Sequence, residues 1–320
     1  MKRAALVLAS LAMISAFGTA AVAAPEKLRI GTPEAVGFNF YMLDAGIDLG
    51  IFRKDDLDIE RIDVEGGAKL HQAMAAGAID IALGGGTDLL FVAKGSPEKA
   101  VAVLGTAPAN LSILVQGDSP IKTVADLKGK LVGATTKGSL TEWLVTRLSQ
   151  EQGWGVDGIR MAELGAFDGT LAALKVKQVD AIVGALEAGY LLEDKHIAKV
   201  LTGLEGVAPD FITHVVFARP ELVKSNPDVV NRFLKGVFAS IAFMKANKEK
   251  TTEIATKVRQ QSPAVMNRTW DYEISMFEDD GHFDPAAVEV IKDSFVDMGI
   301  LDHKPPNDEL FTTQFLPVRP

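Results

Sequence analysis

Val132-Gly133-Ala134-Thr135-Thr136-Lys137-Gly138-Ser139-Leu140-Thr141-Glu142-Trp143-Leu144 decides the fold of this chain. Leu131 and Val132 close a short apolar run bounded by breakers, which is the mark of a buried strand. Ser139-Leu140-Thr141-Glu142 has the spacing of a capping box, with Ser139 as N-cap and Glu142 placed to return a bond to its amide. Leu140, Trp143, Leu144, Arg147 and Leu148 then repeat at helical spacing, so Trp143 is expected in a core. A strand therefore feeds a helix through a tight polar loop, and its free amides and hydroxyls suit a negatively charged group. From this stretch alone, simple helix capping is the favoured reading, and the rest of the chain has to change it.

The same unit recurs on both sides. Upstream, 28–31, 57–64, 79–83 and 100–104 read as strands, with helices over 38–49, 68–76 and the stretch from Thr87 to the residues before Gly95. This β-α-β-α-β-α-β order predicts a parallel sheet covered by helices. From Leu111 the pattern restarts, with strands over 111–115, 131–132, 159–163, 179–183 and 197–201. A strong strand over 211–218 follows. Beyond Pro220 the chain reads as helices, including one begun at Pro227, others over 253–259 and 286–298, and a docked tail. Helices without strands pack most economically back on the first sheet. The chain then crosses twice between two lobes, at 111–115 and 213–217, and two such crossings make a hinge. The expected division is 24–110 plus 218–320 for lobe 1 and 111–217 for lobe 2.

Composition narrows the function. Met1-Lys2-Arg3, an apolar run over 4–17 and small residues ending in Ala21-Val22-Ala23 have the layout of a secretory signal over 1–23. The run is too short to span a membrane comfortably. There is no cysteine, which excludes disulfides, a thiol nucleophile and a lipid-modified N-terminal cysteine. The expected place is the periplasm, as a soluble monomer. The mature chain carries 31 basic and 42 acidic residues, a charge of −11 with histidine neutral, which argues against nucleic acid and anionic membranes. No cofactor or metal is expected, since the five histidines lack metal spacing. Enzyme signatures are missing too: Lys137-Gly138-Ser139 reverses the P-loop order, Gly84-Gly85-Gly86 lacks dinucleotide spacing, and there is no G-x-S-x-G elbow.

Open α/β sheets bind ligands beyond the carboxyl ends of their strands. The loops there are 32–37, 84–88, 135–139, 165–167 and 184–187. They supply Glu34, Phe38, Thr87, Asp88, Thr136, Lys137, Ser139, Phe167 and Glu187, and His214 joins them at the second crossing. Each has a plain alternative: Thr87, Thr136 and Ser139 as caps, Asp88 as dipole compensation, Glu34 and Glu187 as solvated carboxylates, Lys137 as an exposed lysine. The expectation is an organic anion or zwitterion, with Ser139 and Thr136 at its anionic end and Asp88 near its donor end.

Several segments together resemble the periplasmic substrate-binding proteins of ABC importers, in the nitrate/taurine/sulfonate branch. They are Leu28-Arg29-Ile30-Gly31, Ala76-Gly77-Ala78-Ile79-Asp80-Ile81, Gly84-Gly85-Gly86-Thr87-Asp88, Asp126-Leu127-Lys128-Gly129-Lys130 and Ala172-Ala173-Leu174 with Val179-Asp180-Ala181. The resemblance implies an α/β, type II two-lobed clamshell that closes on one small solute and docks on an inner-membrane permease with its ATPase. Its members bind taurine, alkanesulfonates, nitrate, bicarbonate, pyrimidines or aromatic acids, so a sulfonate- or taurine-like solute is the first expectation and a pyrimidine or aromatic acid the alternative. Thiamine-pathway pyrimidine synthases share the architecture but carry a cysteine-rich motif absent here. An enzyme or a sensor on the same lobes is the remaining alternative.

Overall fold

The computed structural model describes residues 24–33, 37–64, 66–135, 139–165 and 167–320, the side chain of Arg259 excepted. The expected signal over 1–23, and Glu34, Thr136 and Lys137, lie outside the described residues.

Strands β1 (Glu26–Thr32) and β2 (Leu57–Asp63) pair in parallel, from Glu26 opposite Leu57 to Thr32 opposite Asp63, and β3 (Ile81–Gly85) lies parallel on the other side of β1. Helices α1 (Tyr41–Asp48) and α2 (Ile51–Lys54) lead into β2, α3 (Gly67–Ala75) into β3, and α4 (Leu89–Ala93) into β4 (Lys99–Thr106). The helix expected over 38–49 opens as a 3-10 turn, Phe38–Phe40, before α1. A second sheet follows with β5 (Leu111–Gln116), β6 (Leu131–Ala134), α5 (Leu140–Glu151), β7 (Arg160–Glu163), α6 (Phe167–Lys175), β8 (Ala181–Ala185), α7 (Leu186–Asp194) and β9 (Ala198–Gly203). Then come β10 (Ile212–Ala218), α8 (Pro220–Ser225), α9 (Pro227–Ala246), α10 (Lys248–Arg259), α11 (Pro263–Glu273), α12 (Pro285–Asp297) and α13 (Asn307–Leu310).

Among the described residues the strand orders are β2-β1-β3-β10-β4 and β7-β6-β8-β5-β9. The first sheet is not wholly parallel, as the alternating pattern predicted. β10 lies antiparallel between β3 and β4, and β5 lies antiparallel between β8 and β9. The cause is the path of the chain. Each of these two strands arrives from the other sheet, so it enters at the end where the remaining strands leave. Because β5 belongs to the second sheet and β10 to the first, the crossings run over 107–110 and 204–211 and not over 111–115 and 213–217 as expected.

The crossings lie side by side. Ala107 N–H donates to the Phe211 carbonyl at 3.0 Å, and Leu204 N–H donates to the Leu111 carbonyl at 3.0 Å. Leu204, Val207, Ala208 and Phe211 of the return crossing are buried, and the Phe211 ring packs on Trp143 with centroids 4.7 Å apart. Trp143 is thus the core residue its spacing predicts.

Of the helices after β10, α9 packs on the first sheet, whereas α11 also lies against α7 of the second lobe, with Arg268 3.9 Å over the Tyr190 ring and donating to Glu193. In α9, Val230, Phe233, Leu234, Val237, Ile241 and Met244 recur at helical spacing and are buried in the core with Leu28, Ile30 and Leu83. Each such side chain contributes about 1.5–3 kcal/mol when taken from water. The tail docks as expected: Phe315 and Val318 join this core, and Val318 N–H donates to the Asp280 carbonyl.

Candidate functional site

β4 and β9 each run by their carboxyl ends straight into a crossing. The carboxyl ends of the strands parallel to them, β1, β3, β6 and β8, therefore face the boundary between lobes.

On the lobe 2 side, Ser139 is the N-cap of α5, its Oγ accepting from Glu142 N–H at 3.3 Å. Thr141 Oγ1 lies 2.9 Å from Ser139 Oγ and 2.9 Å from Thr135 Oγ1, and it accepts from Thr135 N–H at 3.0 Å. Three hydroxyls thus form a chain at the head of a 12-residue helix, where the partial positive charge of the dipole is greatest. Thr135 lies in the expected loop 135–139, whereas Thr141 was not singled out, although a threonine two places after the N-cap serine was visible in the quoted stretch. Phe167, half-buried, begins α6 with its ring edge against Gly184 at the end of β8. Glu187 sits buried in the first turn of α7, whose Leu186 N–H is held by the Asn110 carbonyl at 2.9 Å.

On the lobe 1 side, Phe38 and Asp88 are both buried. Phe38 does not line the cleft: it is 2% exposed, stacked on Tyr41 at 5.5 Å and tilted against Phe277 at 6.0 Å. The 3-10 turn sends this ring inward. Asp88 is 7% exposed, and its Oδ2 accepts from Gly85 N–H at 3.1 Å and lies 3.4 Å from His71 Nε2. His71 Nδ1 in turn lies 2.5 Å from Glu98 Oε1, and Ser96 Oγ donates to Glu98 Oε2. Burial alone would lower the His71 pKa, but hydrogen bonds to Asp88 and Glu98 outweigh it and push it up to about 9. The imidazole is therefore charged at neutral pH. Burial likewise opposes ionisation of Glu98, and the His71 and Ser96 bonds overcome it, leaving its pKa below the usual value. Asp88 belongs to this interior ion cluster. Thr87 remains half-buried beside it, in the Gly86–Asp88 turn.

His214 lies at the start of β10, opposite Gly85 of β3 and Gly105 of β4. Asn39 Nδ2 lies 3.1 Å from its Nε2, and Phe40 meets the ring edge-on at 5.1 Å. Burial lowers its pKa to about 3, so the ring is neutral. Asn39 was missed because it is 175 positions away in sequence. Among the described residues no three His, Asp or Glu side chains converge in a metal-binding group, and no helix is long and apolar enough to cross a membrane.

Residues 38–251 match the family described as NMT1/THI5 like. A protein of Escherichia coli (strain K12) named for binding aliphatic sulfonates is 34% identical over 269 residues, 82% of this chain and 78% of that one. Two solved structures share the fold. The alkanesulfonate-binding protein SsuA of Xanthomonas axonopodis pv. citri, bound to MOPS, superposes with a TM-score of 0.72 at 22% identity, covering 89% of this chain and 96% of that one. The periplasmic aliphatic sulphonate binding protein SsuA of Escherichia coli gives 0.73 at 21%, covering 90% and 92%. With a match across most of its length and a relative of this identity, the chain belongs to the NMT1/THI5-like family.

Proposed function

We propose that this chain is the periplasmic solute-binding component of an ABC importer, which closes its lobes on a small organic sulfonate and presents it to a permease and its ATPase. The observation that carries the reading is the hydroxyl chain Thr135–Thr141–Ser139 on the head of α5, in a chain 34% identical to a protein named for aliphatic sulfonates. Hydroxyls and main-chain N–H groups at a helix N-terminus suit an acceptor-only head group. The expectation of a donor end on the solute rested on Asp88. With that carboxylate beside charged His71, a plain alkanesulfonate is favoured over taurine. The similarity to binding proteins supports solute capture without chemistry. Residues 1–23 would be removed on export, leaving a monomer hinged at its two crossings.

The test is a thermal-shift panel of ethanesulfonate, butanesulfonate, taurine, succinate, a pyrimidine and nitrate. A sulfonate at 100 times its dissociation constant adds about 2.7 kcal/mol of stability, and the melting temperature rises accordingly. The same ligand should shrink the radius of gyration in small-angle scattering. A panel in which only nitrate or the pyrimidine shifts the melt overturns the reading.

A further inference from the structure

We infer that His214 is a neutral hydrogen-bond donor for the solute's anionic head, with Asn39 as the positioning residue that keeps the ring proton on Nδ1. The inference rests on the sulfonate reading above and deepens it.

The geometry carries the assignment. The atom of Asn39 facing His214 Nε2 at 3.1 Å is the amide nitrogen, which can only donate. Nε2 must therefore accept, and a neutral imidazole then carries its proton on Nδ1. That Nδ1 is buried and has no hydrogen-bond partner among the described residues. Native interiors seldom leave such a donor unused, and the exceptions call for a functional account. Its place supplies one. His214 is the third residue of β10, immediately after the return crossing, at the strand end that meets the other lobe.

Two further buried atoms without partners among the described residues flank the same boundary. The one that can donate to an anion is Thr213 Oγ1, the hydroxyl next to His214; the other is the Asn110 carboxamide oxygen of the outward crossing, which accepts only and so does not serve a sulfonate. The unused Nδ1 and Thr213 hydroxyl at this strand end mark the place where a bound solute completes the hydrogen bonding. An N–H there selects for an acceptor. A sulfonate oxygen satisfies it, whereas an ammonium would not. Burial that keeps the ring uncharged means the donor works without a buried cation needing a counter-charge.

The test uses the full mature chain labelled with nitrogen-15 at histidine, and whichever member of the sulfonate panel shifts the melt most. Long-range proton–nitrogen spectra should show His214 protonated on Nδ1 before ligand is added, and the Nδ1 proton should move downfield on binding. His214→Asn places an amide nitrogen near the position of Nδ1 and should retain most affinity. His214→Gln places it near Nε2 and should lose about 10- to 100-fold, the range for a hydrogen bond to a charged group. Asn39→Asp accepts from Nε2–H, reverses the tautomer, turns a lone pair on the solute, and should lose at least as much.

If no sulfonate binds wild type, this inference falls together with the proposed function. If a sulfonate binds while the Nδ1 resonance stays still, or His214→Gln binds normally, it falls alone. A ring protonated on Nε2 overturns it whatever the variants do, so the wild-type spectrum decides even where a variant fails to fold.

Discussion

The two lobes are the same device built twice with different interiors. Their strand orders correspond one to one, β2-β1-β3-β10-β4 to β7-β6-β8-β5-β9. Details repeat as well. Asp80 N–H donates to the Arg29 carbonyl while its Oδ2 accepts from Arg29 N–H; Asp180 does the same with Leu131, at 2.8 Å each way. Helices α3 and α6, and strands β3 and β8, are offset by 100 residues, so His71 corresponds to Leu171 and Asp88 to Ala188. Glu98, just before β4, corresponds to Ile197, just before β9. One lobe holds a buried imidazolium between two carboxylates where the other holds hydrocarbon. The fold does not need the charges, because lobe 2 manages without them. Once one of the three is present, however, the others become obligatory, since an unmatched buried charge is far costlier than an apolar side chain.

Transplanting lobe 2 into lobe 1 puts the largest effect first. His71→Leu leaves Asp88 and Glu98 inside without their cation, and should cost about 3–5 kcal/mol in urea unfolding. The triple change His71→Leu, Asp88→Ala, Glu98→Ile should recover most of that loss. A triple variant no more stable than the single one would show that the lobes are alike in topology only.

Alkaline pH tests the same cluster without mutation. Folding raises the His71 pKa from its ordinary 6.5 to about 9. The stabilisation is therefore whole below the ordinary value and is lost as pH climbs through about 9. A shift of that size corresponds to roughly 3 kcal/mol. Wild type should lose stability between pH 6.5 and 9.5, and the triple variant should lose much less. Equal pH profiles would mean that His71 is uncharged in the folded protein.

These contrasts also explain what the sequence could and could not disclose. Ser139 as the cap of α5, Trp143 as core and the helix begun at Pro227 were legible because each depends on spacing within one element. The reversed direction of β10 was not, because alternation marks a strand but carries no sign of which way it runs. Asp88 looked like a cleft carboxylate because its partners, 17 residues before it and 10 after, meet only when α3 packs on β3 and β4. Phe38 was misplaced for a nearer reason: a 3-10 turn rotates side chains differently from the α-helix expected there.

Ser139→Ala sharpens the difference at the cleft edge, where lobe 2 uses hydroxyls and lobe 1 a carboxylate on Gly85 N–H. Loss of the cap should destabilise the protein by about 1 kcal/mol, besides weakening sulfonate binding. An unchanged melt with lost binding would mean that the serine serves only the solute.

The smallest effect concerns the turn that closes α3 and α6. Both helices end in the same way: Gly77 N–H donates to the Met74 carbonyl and Ala78 to Ala73, as Lys177 donates to Leu174 and Gln178 to Ala173. This closure needs a left-handed residue, and φ is +72° at Gly77 and +60° at Lys177. Glycine takes that conformation freely, whereas an L side chain there costs about 1–2 kcal/mol. Against this, glycine in the unfolded chain has more freedom to lose, by roughly 0.5–1 kcal/mol. The Lys177–Asp118 ion pair is exposed on both sides and adds little. Lys177→Gly should thus stabilise by less than about 1 kcal/mol, a rise of a few degrees at most. Gly77→Ala should lose more than Lys177→Gly gains, because its new Cβ would also stand 3.2 Å from the Arg219 guanidinium, which is fixed on Asp80. A fall in stability for Lys177→Gly would show that lobe 2 draws more from that lysine than a turn position requires, and the two closures would then be alike in hydrogen bonds but not in energy.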